Sequence, residues 1–139
     1  MAKTVRDAMT SNPRTTSPSQ SLADAAQIMK SEDVGSVPVV DDGRLVGVVT
    51  DRDIAIRAVA EGADARATSV GDVASRDLVT VEPGESLDQA LALMARHQVR
   101  RLLVVESGEL VGILAQADVA AEVKEKKAGE VLEEISKPS

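Results

Sequence analysis

The sequence contains no cysteine. That removes a disulfide framework, a thiolate metal centre and a cysteine nucleophile together. Phenylalanine, tyrosine and tryptophan are also absent. Nucleic-acid bases therefore cannot stack on aromatic side chains, the usual platform for single strands. The core has to be built from Val, Leu, Ile, Ala and Met. The one histidine, His97, has no thiolate partners for a zinc site, and the spacing of the carboxylates signals none, so no metal is expected. No apolar run approaches the roughly 18 residues of a membrane helix. The opening Met1-Ala2-Lys3-Thr4-Val5-Arg6-Asp7 has no apolar stretch of the signal-peptide kind. These absences predict a cytoplasmic protein with no membrane partner. Basic charge is also short: 16 Lys and Arg face 23 Asp and Glu, for a net charge of −7. Nucleic acid is a poor partner for such a chain, because phosphate contacts need clustered cations. Finally, there is no Gly-x-Ser-x-Gly elbow, no Gly-x-x-x-x-Gly-Lys-Ser/Thr loop and no Gly-x-Gly-x-x-Gly run. No enzyme is expected.

What the chain does have is an internal repeat. Its 139 residues suit one compact domain or two very small ones. Displaced by 65 positions against itself, the segment Val5 to Arg57 gives 17 identities in 53 positions without a gap, counted directly. Pro18 meets Pro83, Ser21-Leu22 meets Ser86-Leu87, and Met29 meets Met94. Val39-Val40 meets Val104-Val105, Leu45-Val46-Gly47 meets Leu110-Val111-Gly112, and Asp53 meets Asp118. Each copy reads as β-α-β-β-α. A short strand is expected around Arg14 to Thr16 and around Val79 to Val81. Leu22, Ala25, Ala26 and Met29, and their mates Leu87, Ala90, Leu91 and Met94, recur at helical spacing. Ser21 and Ser86 stand as N-caps. Two apolar runs flank Asp41-Asp42-Gly43-Arg44, and two flank Glu106-Ser107-Gly108-Glu109, which are hairpin signals. A second helix follows over about 51–61 and about 116–126.

The fold class expected is therefore α/β (α+β), with small mixed sheets and packed helices. A unit of about 60 residues buries little surface alone, so the two should pack about a pseudo-twofold axis. The predicted boundaries are 1–61 for the first unit, 62–69 for a linker, 70–126 for the second unit and 127–139 for a charged tail. Val123, Val131, Leu132 and Ile135 give the end of the chain a thin apolar stripe.

The chemistry concentrates where a strand runs into a helix, at Gly47-Val48-Val49-Thr50-Asp51-Arg52-Asp53. Thr50 and Asp53 have the spacing of a capping box, in which each side chain satisfies a free backbone amide. The second copy reads Gly112-Ile113-Leu114-Ala115-Gln116-Ala117-Asp118. Ala115 cannot cap, yet the acidic residue is retained. Asp118 could favour the helix dipole or serve a purpose beyond capping.

The duplicated unit, the Val37-Pro38-Val39-Val40 strand and the Gly-x-x-Thr-x-x-Asp pattern resemble a tandem CBS (cystathionine β-synthase) domain pair, or Bateman module. The resemblance runs from about Val5 to Glu125. The runs Thr50-Asp51-Arg52-Asp53-Ile54 and His97-Gln98-Val99-Arg100-Arg101 are similar to stand-alone bacterial pairs, including the hypoxic-response type. The resemblance implies a ligand site in each cleft between the units. In it, Asp53 takes the two ribose hydroxyls and Thr50 touches ribose or phosphate. Thr15, Thr16, Val37 and Pro38 hold the adenine, and the Arg100-Arg101 pair reaches the phosphate. The second site would use Thr80, Val81, Leu102 and Asp118. It is expected to be weaker, because Ala115 replaces the threonine and Gly35-Ser36 replaces the basic pair.

The function this implies is a regulatory module that senses an adenine nucleotide or other adenosyl ligand of the AMP, ADP or ATP class, requires no cofactor and catalyses nothing. A homodimer is implied, along with a protein partner that the sequence does not name. The alternative is a stress-related homodimeric interaction or scaffold protein whose nucleotide site is degenerate.

Overall fold

The computed structural model describes residues 3–122. The expected apolar stripe at Val123, Val131, Leu132 and Ile135 lies outside them. In chain order the elements are α1 (Val5–Ala8), β1 (Thr10–Ser11), α2 (Leu22–Glu32), β2 (Ser36–Asp41), β3 (Arg44–Thr50) and α3 (Asp51–Asp53), which widens into a π-helix over Ile54–Val59. Then come α4 (Val70–Val73), β4 (Thr80–Val81), α5 (Leu87–His97), β5 (Arg101–Glu106) and β6 (Glu109–Ala115). A final helix, α6, covers residues 116–122. Among the described residues no helix is long and apolar enough to cross a membrane.

Local signals set most of these boundaries. The Ser21 and Ser86 hydroxyls accept from the amides of Asp24 and Gln89, each at 3.1 Å, and so cap α2 and α5. The hairpins close through Asp42-Gly43 (φ 52° and 80°) and Ser107-Gly108 (φ 54° and 82°). Positive φ at both central residues is what a tight two-residue turn requires, and glycine supplies it without strain. The strand expected near Arg14 to Thr16 is reduced to one parallel bridge, Thr16 to Val39, whereas its mate forms β4. Proline explains the difference. In the second repeat the Leu103 amide donates to the Val79 carbonyl at 3.3 Å. Its counterpart in the first repeat is Pro38, which has no N–H to donate.

Each hairpin pairs antiparallel, β2 with β3 and β5 with β6. The two hairpins join into one sheet of order β2-β3-β6-β5-β4 through a single residue pair, Arg44 with Glu109. Those two residues occupy equivalent positions in the repeat, so the pseudo-twofold axis passes between them.

The same axis exchanges the segments that precede each unit. Val5 is fully buried in the second repeat's core, among Leu87, Ala90, Met94, Leu102 and Leu114. Its mate Val70 is fully buried in the first repeat's core, with Leu22, Ala25, Val37 and Val49. Backbone bonds repeat the exchange. The Val5 amide donates to the Glu85 carbonyl and the Val70 amide to the Gln20 carbonyl, both at 2.8 Å. Next, β1 pairs with β6, while Ser75 pairs with Val48 on β3. This accounts for the repeated glycines. A Cβ on Gly47 would come within 2.9 Å of the Ser75 carbonyl oxygen, and one on Gly112 within 2.9 Å of the Thr10 carbonyl oxygen. Close backbone approach excludes a side chain at both places.

Candidate functional site

Where β3 ends, Thr50 and Asp53 form the capping box their spacing predicts. The Thr50 hydroxyl accepts from the Asp53 amide at 3.0 Å, and Asp53 Oδ2 accepts from the Thr50 amide at 3.0 Å. The hydroxyl acts there as acceptor only, so its proton stays available to an outside oxygen. The second carboxylate oxygen, Oδ1, lies 4.0 Å from the Arg57 guanidinium. In the second repeat Asp118 Oδ2 still accepts from the Ala115 amide, at 3.3 Å. The retained acid therefore does the same backbone work with half the box missing.

Two clefts flank the pseudo-twofold axis. The larger, about 530 Å³, has Thr50, Asp51 and Arg52 from the first repeat facing Asp77, Val79, Val99, Arg100 and Leu103 from the second. The smaller, about 310 Å³, has Arg14, Glu32, Val37 and Pro38 from the first repeat facing Ala115 and Asp118 from the second. Ser36, Arg101 and Ile113 line both. Both volumes fall within the usual range of small-molecule pockets.

The candidate residues are grouped by these clefts in a way the repeat alone does not reveal. Thr50, Arg100 and Arg101 come together in the larger cleft. Val37 and Pro38 sit instead in the smaller one, with Asp118 and again Arg101. Each cleft thus takes residues of the strand-to-helix turn, Thr50-Asp51-Arg52 or Ala115 and Asp118, from one repeat and its facing strand from the other. Asp53 lines neither cleft, although its mate Asp118 lines the smaller. Thr15, on a loop, and Thr80, on β4, are both exposed and line neither. Thr16 is buried, and its hydroxyl donates to the Gln20 side chain at 2.7 Å. Val81 and Leu102 belong to the second hydrophobic core. His97 ends α5 and is exposed.

The electrostatics of the clefts differ. In the larger cleft Arg52, Arg100 and Arg101 have no ion-pair partner among the described residues. Three open guanidiniums against two carboxylates, Asp51 and Asp77, suit a bound phosphate, which guanidinium can grip with paired N–H donors. In the smaller cleft Arg14 is held by Glu32 at 3.2 Å, which leaves Arg101 as the unpaired cation opposite Asp118. Sequence reasoning missed Arg52, Asp51 and Asp77 in one cleft and Arg14 and Glu32 in the other. For Arg52 a signal was available: it stands opposite Ala117 in the repeat, beside the Thr50 and Ala115 difference. Among the described residues no cluster of three or more His, Cys, Asp or Glu could hold a metal ion.

A CBS domain model matches this chain twice, at residues 5–59 and 70–125. The chain belongs to the CBS domain family. CBS domain-containing protein YhcV of Bacillus subtilis is 46% identical over 133 residues, covering 95% of this chain and 94% of YhcV. Hypoxic response protein 1 of Mycobacterium tuberculosis is 35% identical over 136 residues, covering 97% of this chain and 95% of that protein. A crystal structure of hypoxic response protein I, which holds two coordinated zinc ions, matches with a TM-score of 0.79 at 38% identity, over 86% of this chain and 98% of that one. The crystal structure of CBSX2 in complex with AMP matches with a TM-score of 0.77 at 31% identity, over 90% of this chain and 98% of CBSX2. The duplicated α/β architecture read from the sequence is thus the CBS-pair fold.

Proposed function

We propose that this CBS pair is a non-catalytic regulatory module that takes an adenine nucleotide, or a related adenosyl ligand, in its larger cleft. One observation carries the reading: Arg52, Arg100 and Arg101 stand around Thr50 in one cavity with no ion-pair partner among the described residues. Its aliphatic wall of Val48, Val79, Val99, Leu103 and Ile113 suits a flat purine. The guanidiniums and the free hydroxyl proton of Thr50 suit a phosphate. The AMP held by the CBSX2 relative supports the same ligand class. A ligand bridging the two repeats would act by favouring one relative packing of them over another. Self-association as a homodimer belongs to this reading, supported by Ile56 and Val59, which are 50% and 65% exposed on the π-helix. So does a cytoplasmic setting, which rests on composition alone.

The test is calorimetry on ligand-free protein with AMP, ATP, S-adenosylmethionine and NADH. A nucleotide should bind, and Arg100→Ser should weaken it roughly 10- to 100-fold, the range for one lost charged hydrogen bond. The absence of tryptophan and tyrosine makes any co-purified nucleotide stand out near 260 nm. If none of the four ligands gives heat, the second reading takes over, that of an interaction protein with a degenerate site. Asp53 favours that second reading, because its carboxylate is engaged in capping and lines neither cleft.

A further inference from the structure

Arg101 lines both clefts and has no ion-pair partner among the described residues. Its mate in the repeat is Ser36, which also lines both. The axis region between the clefts therefore carries one cation where a symmetric duplication would carry two or none. We propose that Arg101 is a shared anion anchor, so that a phosphate-bearing ligand in the larger cleft deprives the smaller cleft of its cation. This inference rests on the nucleotide reading and adds a coupling to it.

The argument is one of charge. The larger cleft keeps Arg52 and Arg100 whatever Arg101 does. The smaller cleft does not have that reserve. Its other guanidinium, Arg14, is engaged by Glu32, and Asp118 adds a second negative charge. With Arg101 turned to the smaller cleft, that cleft is balanced, with two guanidiniums against two carboxylates. With Arg101 engaged next door it carries net negative charge and repels a phosphate. A guanidinium whose paired N–H donors grip a phosphate in the larger cleft has its charge largely neutralised there and attracts a second anion less strongly. The two clefts then compete for anions, although an uncharged ligand fills them independently. Such a module reports the first nucleotide bound and resists the second.

The test follows backbone amides by NMR in the full chain, with Thr50 and Arg52 reporting the larger cleft and Ala115 and Asp118 the smaller. AMP and phosphate-free adenosine are the probes. In the wild type, AMP should shift the Ala115 and Asp118 amides at concentrations at least tenfold above those that shift Thr50 and Arg52. The double variant Arg52→Ser/Arg100→Ser weakens the larger cleft but keeps Arg101. There the smaller cleft should gain affinity for AMP by about tenfold, because its cation is no longer taken. Arg101→Ser should abolish AMP binding in the smaller cleft at any occupancy of the larger. All three positions are exposed, and their repeat mates Ala117, Gly35 and Ser36 are small, so the variants should fold. The adenosine midpoints should be the same in all three proteins. The proposal is overturned if the smaller cleft's AMP midpoint is unchanged in the double variant, or unchanged in Arg101→Ser. If neither AMP nor adenosine shifts either set of amides, the nucleotide reading itself fails and the coupling falls with it.

Discussion

The difference between Thr50 and Ala115 can be exchanged between the repeats. Thr50→Ala removes the acceptor for the Asp53 amide, a bond of 3.0 Å, and leaves Asp53 holding the Thr50 amide alone. Loss of a threonine N-cap costs about 1 kcal/mol. In a chain of this size that corresponds to a fall of about 4 °C in Tm. Ala115→Thr is the reverse experiment. Ala115 ends β6 in extended conformation, α6 begins at the next residue, and Asp118 already accepts from the Ala115 amide at 3.3 Å. A threonine there completes the box and should add about 0.5–1 kcal/mol, or about 2–4 °C. The two substitutions must therefore move stability in opposite directions by comparable amounts. Thermal melts followed by circular dichroism at 222 nm measure both, since no aromatic residue offers a fluorescence signal. Shifts of the same sign, or no loss in Thr50→Ala, would refute the claim that this turn is a capping device that the second repeat has half lost. The larger cleft should also respond. Its Thr50 hydroxyl proton is free, so Thr50→Ala should weaken a bound nucleotide about fivefold, the equivalent of one neutral hydrogen bond.

Two further outcomes test the exchanged segments. Val5→Ala and Val70→Ala each remove buried methyl groups, one from each core, and each should cost about 1–3 kcal/mol in urea unfolding. A neutral Val5→Ala would show that α1 is not part of the second core. The cap of α1 should also make stability depend on pH. Hydrogen bonds from the Thr4 amide (2.9 Å) and then the Thr4 hydroxyl (3.2 Å), helped by the Lys3 charge, hold the Asp7 carboxyl below its ordinary range. A group lowered on folding contributes stability above its unfolded pKa of about 4 and loses it as pH falls through the lower folded value. The stability gap between wild type and Asp7→Asn should therefore hold from about pH 7 to 5 and narrow below about pH 4. A gap that ignores pH would remove Asp7 from the cap.

Some of this molecule is written locally and some is not. The caps at Ser21 and Ser86, the hairpin turns at Gly43 and Gly108, and the Thr50–Asp53 box each depend on residues within a few positions of one another. Spacing alone exposes them, and the repeat doubles the evidence. The strand at Arg14 to Thr16 was expected because its mate reads as one. It fell short because Pro38, a residue more than twenty positions away, has no amide to complete the ladder. The helix expected over 51–61 begins as expected but widens into a π-helix from Ile54. No local signal for that widening is evident.

The clefts are the part that periodicity could not reach. A repeat states which residues are equivalent, but not which copy a residue faces. Val37 and Pro38 were grouped with Thr50 on the resemblance to a CBS pair, yet the pseudo-twofold axis sets them opposite Ala115 and Asp118. The same axis sends Val5 and Val70 into each other's units. Asymmetry, by contrast, was legible. Thr50 against Ala115, Arg52 against Ala117 and Arg100-Arg101 against Gly35-Ser36 all differ in the sequence itself. All of the first repeat's Thr50 and Arg52 and the second repeat's Arg100 and Arg101 converge on one cleft. A duplication that began symmetric would hold two equal sites. Here the differences between the two repeats reinforce one another only because each cleft draws on both copies, so the basic pair of the second repeat strengthens the turn of the first.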